Sequence, residues 1–316
     1  MLALNLLYFV LSCIVMVFAG TFLIKNLTKI ARFLLITEFA AAFIIMAVAT
    51  SLPELFIGIT SALAKNPALS FGNVMGANIL NLTLITGIII LVARKIEIKS
   101  KKIRRDAFFT SLIILLPIVL FLIGNELSRY DGAILLAVFF MYSYRLIKQR
   151  KKFKKKLEDR VKRKEIVLTT FLFILFLFVL FFSAKFVVHY ASLLVFDLKL
   201  PAIMIGLFLV SFGTTLPELI FGVRAAQLKH ADMSLGDQLG TMIANSTLVL
   251  GVAALIYPIE VAFAPFMISA IFLFVTGFLF VTFVESGRKL DTREGISLIL
   301  LYIFFVIIEF YVRGFG

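Results

Sequence analysis

A chain of 316 residues that is 62% hydrophobic, with a mean hydropathy of +1.08, lies far outside the composition of soluble globular domains, so the bilayer is the solvent in which it has to be read. Its one cysteine, Cys13, excludes an internal disulfide framework or a cysteine metal cluster and reads as a lipid-facing or packed apolar residue. The net charge of +14 does not point to nucleic acid, because the lysines and arginines fall between apolar runs, where topology and anionic lipid headgroups account for them.

The apolar runs lack the period-two alternation of a membrane barrel and approach the roughly twenty residues of a helical span. Ten spans are predicted, at about 2–24, 36–64, 69–92, 107–124, 131–148, 166–188, 200–226, 233–256, 262–284 and 295–312. No basic segment precedes the first run, and Lys25, Lys29 and Arg32 follow it. It is therefore expected to be a retained span with its N-terminus outside, not a cleaved signal. The inside segments then become 25–37, 93–106, 145–164, 224–230 and 285–293, which hold 27 of the 32 Lys and Arg residues. Adding or deleting one span would invert half of this pattern, so charge supports the span count and the orientation together. The expectation is a multi-pass protein of the cell membrane with both termini outside. The densest basic run, 148–164, reads as a solvated linker near the headgroups, dividing the chain into five-span halves at 1–147 and 165–316.

Two stretches stand out within the apolar runs: Ala49-Thr50-Ser51-Leu52-Pro53-Glu54 and Gly213-Thr214-Thr215-Leu216-Pro217-Glu218. An intramembrane charge costs at least about 2.5–3.5 kcal/mol unless it has a partner or a water-filled cavity. The second stretch repeats the first. Sliding the chain by 164 residues superposes 46–87 on 210–251 without a gap, with 16 of 42 positions identical. Glycines 58/222, 72/236, 76/240 and 87/251 and the pair Asn81/Asn245 stay in register. Apolar matches alone could arise by chance, but a polar and glycine skeleton in register indicates a duplication. Five spans per half is odd, so the duplicates are expected to enter the membrane from opposite sides. Inverted repeats with corresponding interrupted helices are the sequence sign of an alternating-access transporter whose site lies near the midplane.

Pro53 and Pro217 lack the N–H that would bond the carbonyls of Ala49 and Gly213. In lipid such freed groups are tolerated only beside protein or a water-filled cavity, and a cation can be their partner. The carbonyls ending the preceding half-helix carry partial negative charge one turn before Glu54 or Glu218. Hard cations such as Ca²⁺ take six to eight oxygens from carboxylates, carbonyls, amides and water. Glu54, Glu218, the carbonyls around Thr50 and Thr214, and the amides of Asn81 and Asn245 supply that set, and two carboxylates match one divalent ion. Zinc or copper fits poorly, because the only histidines, His189 and His230, fall at span ends. Gly72-x-x-x-Gly76 and Gly236-x-x-x-Gly240 predict close approach of the Asn-bearing helix to the Glu-bearing helix. Ser51 and Thr215 offer further oxygens, whereas Thr83 and Thr247 are expected to bond back to their own preceding turns.

The doubled motif, Gly/Ala-Thr-Ser/Thr-Leu-Pro-Glu followed by Gly-Asn-x-x-Gly-x-Asn-x-x-Asn/Asp, resembles the repeats of the calcium/cation antiporter superfamily, and the chain resembles a prokaryotic Na⁺/Ca²⁺ exchanger of minimal size. The resemblance implies an all-α fold of ten spans with Glu54 and Glu218 as central shared ligands. It implies oxygens from Thr50 and Thr214, Na⁺ binding by Ser51 and Thr215, and first and sixth spans that slide across a rigid eight-helix core. The chain departs from the pattern at Asn245, where many relatives carry Asp, and at Ala77, where a serine helps form a Na⁺ site and the counterpart Thr241 keeps its hydroxyl. Met242 replaces an Asn, and Asp237 stands where Asn is usual. Asp237 precedes Asn245 by eight residues, about 12 Å along a helix, and cannot simply replace the missing ligand.

The expected activity is secondary antiport of Ca²⁺ against Na⁺, with lipids and the ions themselves as partners and no resident cofactor. H⁺ in place of Na⁺ is the nearest alternative, since intramembrane glutamates also carry protons. A passive cation channel is the alternative of another class, against which the inverted repeat argues. An intramembrane enzyme finds no Ser/His pair and no metal-hydrolase motif.

Overall fold

A computed structural model describes residues 1–33, 47–97, 101–148, 163–227, 231–286 and 289–314. Apart from two strands of three residues, the described secondary structure is helical. Among the described residues, eight helices are long and apolar enough to cross a membrane: Leu2–Leu23, Pro67–Ala93, Arg105–Gly124, Glu165–Leu198, Ala202–Gln227, Ser234–Ile256, Phe266–Glu285 and Thr292–Val312. Two predicted spans are not among them. The run 36–64 is described only from residue 47, as Ala47–Thr50 followed by the apolar helix Leu52–Leu63. The run 131–148 forms the helix Arg129–Lys148, whose ends carry Arg129, Asp131, Arg145 and Lys148 and make it more polar than the rest. Residues 149–162 of the basic linker lie outside the described residues.

Burial divides the helices into a core and a periphery. In 18-residue apolar windows of Pro67–Ala93 and Ser234–Ile256, 83% and 78% of the residues are buried inside the protein, against 28% and 17% in the corresponding windows of Leu2–Leu23 and Glu165–Leu198. The outer faces of these two peripheral helices expose Phe18, Phe22, Phe171, Phe178, Phe182 and Phe186. So much apolar exposure on long helices fits lipid, not water. The two helices pack along each other through Met16, Ala19, Leu23, Leu180, Ala184 and Val187. Stacked rings, Tyr8 on Tyr190 at 5.2 Å and Phe22 on Phe176 at 4.7 Å, extend this seam. The pair is tied at both ends, by Asn5 Nδ2 donating to Asp197 Oδ2 at 2.7 Å and by a Lys29–Glu165 ion pair at 3.0 Å. The ion pair is solvent-exposed and adds little energy, so ring packing and buried apolar area hold the seam.

Glycine sets the tightest core contact. A methyl group on Gly72 or Gly76 would stand 2.1 Å from the carbonyl oxygen of Ile203 or Leu207, and one on Gly206 would stand 2.3 Å from that of Leu69. Pro67–Leu80 therefore lies backbone to backbone on the first part of Ala202–Gln227. This sharpens the expectation from sequence, because the Glu-bearing span that Gly72 and Gly76 approach belongs to the other half of the chain. The positions 164 residues before Ile203 and Leu207, 39 and 43, lie outside the described residues.

Short pairings close the core at two places. Lys95–Glu97 pairs antiparallel with Lys289–Asp291, with Lys95 opposite Asp291, and an isolated bridge joins Leu127 to Ile259. Shifting Lys95 and Asp291 by 164 residues in opposite directions leads to Ile259 and Leu127.

Candidate functional site

Both proline motifs interrupt a helix in the same way. Ala47–Thr50 stops at Ser51 (φ −77°, ψ 1°) before Leu52–Leu63 begins, and Ser211–Thr214 stops at Thr215 (φ −84°, ψ 0°) before Leu216–Gln227. One residue in this sparsely populated region turns the chain without unwinding it. The helix then restarts on the carbonyls of Ser51 and Thr215, which accept from Leu55 N at 2.9 Å and Leu219 N at 3.1 Å. The first helix of the chain crosses both breaks. A methyl group on Gly20 would meet Pro53 at 3.5 Å and Pro217 at 3.8 Å. Cys13 is buried and packs against Gly213, the packed one of its two expected settings.

Glu54 and Glu218 sit in the first turn after each break and are 0% and 1% exposed. Among the described residues, none of their four carboxylate oxygens has a hydrogen-bond partner. The prolines just before them, Pro53 and Pro217, both lie against Gly20 of the first helix, so the two glutamates start from one region of the core. An isolated buried carboxylate costs several kcal/mol, and a pair costs more, so this arrangement calls for a cation between the two or for protons on them.

The hydroxyls meet across the halves, but not symmetrically. Thr50 Oγ1 lies 2.9 Å from Thr241 Oγ1, and Ser51 Oγ donates to the Thr241 carbonyl at 3.5 Å. Thr214 Oγ1 instead has Asn73 Oδ1 at 3.0 Å and the Ser211 carbonyl at 3.2 Å as acceptors for its single proton, because the counterpart of Thr241 is Ala77, which has no hydroxyl. Thr215 Oγ1 donates to the Ser211 carbonyl at 2.8 Å, which leaves its lone pairs but not its proton for another partner. Asn73 is a site residue that sequence reasoning passed over. Its place in the motif was visible, but its partner lies 141 residues away.

Asn81 and Asn245 are fully buried, and among the described residues neither the amide oxygen nor the amide nitrogen of either has a hydrogen-bond partner. Each stands at the start of a widened helical stretch with i→i+5 bonding, Asn81–Ile85 and Ala244–Val249. Such π-turns are rare and recur at functional sites, where the extra residue frees carbonyls and displaces side chains. A third such stretch, Ile205–Val210, precedes the Glu218 break. Thr83 and Thr247 bond back to the carbonyls of Ile79 and Ile243, as their position suggested. Asn78, the counterpart of Met242, donates to Ser246 Oγ at 2.7 Å and joins the two Asn-bearing helices.

Among the described residues, no three His, Cys, Asp or Glu side chains converge closely enough to hold a metal by themselves. A cation beside Glu54 and Glu218 must therefore complete its shell with neutral oxygens. Carbonyls at the breaks, threonine hydroxyls and the orphaned amides of Asn81 and Asn245 are the kind that hard cations use.

The model of the family described as "Sodium/calcium exchanger protein" matches residues 4–148 and 168–311. The sodium/calcium exchanger MaX1 of Methanosarcina acetivorans is 26% identical over 356 aligned positions, covering 99% of this chain and 100% of the relative. The uncharacterised membrane protein MJ0091 of Methanocaldococcus jannaschii is 28% identical, with 96% and 97% of the two chains covered. Among solved structures, the sodium-calcium exchanger NCX_Mj, soaked with Na⁺ and Sr²⁺, superposes with a TM-score of 0.68 at 26% identity, covering 97% of this chain and 98% of the other. The chain therefore belongs to the sodium/calcium exchanger protein family, as a multi-pass membrane transporter and not an enzyme.

Proposed function

We propose that this protein is a secondary antiporter that exchanges Ca²⁺ for Na⁺ across the cell membrane by alternating access. Ten spans form two inverted halves, 1–147 and 165–316, joined by the basic linker 148–164, with both termini outside. One observation carries the reading: two glutamates, each in the first turn after a proline break, are buried with no hydrogen bond to their carboxylates among the described residues. A cation that binds between them and leaves again neutralises such a pair, which is the requirement of a carrier. The paired strands and the Leu127–Ile259 bridge, related by the same 164-residue shift as the motifs, support an inverted duplication, as do the two matched segments of the family model.

In this reading Ca²⁺ lies between Glu54 and Glu218 and draws further oxygens from Thr50, Thr214, Asn81 and Asn245. Na⁺ ions use the same carboxylates with Ser51, Thr215 and Thr241. Binding of one Ca²⁺ and binding of Na⁺ then exclude each other electrostatically, which couples the two fluxes without any covalent step. The names of MaX1 and NCX_Mj as sodium/calcium exchangers support the choice of ions. The test is Ca²⁺ flux in proteoliposomes under imposed gradients. A Na⁺ gradient should drive Ca²⁺ against its own gradient. Flux driven only by a pH gradient would assign the counter-ion role to H⁺, and Ca²⁺ leak without counter-ion would make the protein a channel.

A further inference from the structure

The second Asn-bearing helix carries an acid that the exchange reading leaves unused. Asp237 is 4% exposed, its Oδ1 has no hydrogen-bond partner, and it forms no ion pair among the described residues. It lies within the span Ser234–Ile256, where an uncompensated carboxylate is costly. Asp237, Thr241 and Asn245 follow one another at intervals of four and so share one face of their helix. Thr241 fixes where that face looks, since its hydroxyl meets that of Thr50 at the first break. The counterpart of Asp237 fixes its reach: Asn73 accepts the Thr214 hydroxyl at the second break. Asp237 therefore occupies a position whose equivalent touches the broken helix, about 6 Å along the helix from Thr241. Among the described residues it does not converge with the two glutamates on one point.

We propose that Asp237 is a third cation-binding carboxylate of the transport cavity, taking a monovalent cation at the Thr50–Thr241 end while the divalent ion lies between Glu54 and Glu218. The proposal rests on the exchange reading and refines it. With Asn81 and Asn245 neutral, the two glutamates supply a charge of −2, which one Ca²⁺ or two Na⁺ ions balance. Asp237 raises the cavity to −3 and gives a further monovalent ion its counter-charge. The charge that the second half lacks at position 245 thus reappears two turns earlier on the same face.

The test compares wild type with Asp237→Asn, which keeps the shape and the hydrogen-bonding capacity that Asn73 uses in the other half. Two readouts separate this proposal from its parent: Na⁺-driven Ca²⁺ flux in proteoliposomes, and Na⁺-dependent thermal stabilisation of the purified protein, which needs no exchange. Absence of Na⁺-driven flux in wild type would overturn the parent reading, while the stabilisation assay still decides the role of Asp237. The expected result for Asp237→Asn is a half-saturating Na⁺ concentration about tenfold higher in both assays, with a Hill coefficient lower by about one. Ca²⁺ affinity should change less than threefold. Asp237→Asn/Asn245→Asp, isoelectric with wild type, should recover most of the Na⁺ steepness, and it takes the place of the single variant if that variant does not fold. Wild-type Na⁺ curves in Asp237→Asn, or loss of Na⁺ dependence in a folded double variant, would overturn the proposal.

Discussion

The two broken helices are built to one plan and finished differently. Ser51 and Thr215 have nearly the same dihedral angles, each is followed by Leu-Pro-Glu, and both glutamates are buried without partners. The hydroxyls before the breaks diverge: Thr50 meets Thr241, whereas Thr214 turns to Asn73 because Ala77 offers nothing. In the proposed reading the identical parts are those that a divalent ion would draw on from both sides at once, and the divergent parts lie where single charges would sit.

The largest expected effect follows from the shared part. Glu54→Gln and Glu218→Gln should each lower Ca²⁺ flux by roughly a hundredfold or more while the protein remains folded, since one carboxylate is left facing a divalent ion in a low-dielectric site. Near-normal flux from either variant would mean that the halves act separately. The glycine contact comes next. Gly72→Val or Gly76→Val drives a side chain into a backbone carbonyl that stands 2.1 Å from the new Cβ. Because backbone cannot yield as a flexible side chain does, folded protein should fall sharply in detergent size-exclusion profiles. Unchanged yield would show that the two halves are not in backbone contact.

A smaller effect tests the divergent part directly. Thr241→Ala removes the partner of Thr50 and makes the second half resemble the first, at a cost of about 1 kcal/mol for one buried hydrogen bond. Apparent Na⁺ affinity should fall several-fold with little change in Ca²⁺ affinity. Ala77→Ser does the reverse, offering Thr214 a hydroxyl, and should raise Na⁺ affinity or steepness by up to about threefold. Identical Na⁺ curves for wild type and Ala77→Ser would remove position 77 from the ion path. Orientation is checked without transport. In a Cys13-free variant, cysteines placed in 149–162 should react with impermeant reagent only after cells are opened, because basic loops stay inside.

Much of this was legible from the chain because polar atoms are conspicuous in an apolar sequence. Thr50, Pro53 and Glu54 and their counterparts announce an interrupted helix and a charge that needs a partner. What could not be read were partners separated by long stretches of chain. Asn73 gives no sign that it receives Thr214, and Gly72 and Gly76 announce close packing without saying that Ile203 and Leu207 are across from them. The π-turns at Asn81 and Ala244 were equally hidden, since a one-residue change in helical pitch depends on tertiary packing more than on local propensity. The predicted span 131–148 shows the converse: charge at both ends of Arg129–Lys148 makes a 20-residue helix less apolar than its neighbours without shortening it.

The central claim is that one divalent ion is shared by two halves, and equilibrium Ca²⁺ binding to the purified protein in Na⁺-free buffer tests it most directly. Titration calorimetry should give one Ca²⁺ per wild-type chain and no measurable binding to either Glu54→Gln or Glu218→Gln. Two ions per wild-type chain, with one retained in each variant, would show two independent sites and contradict the account.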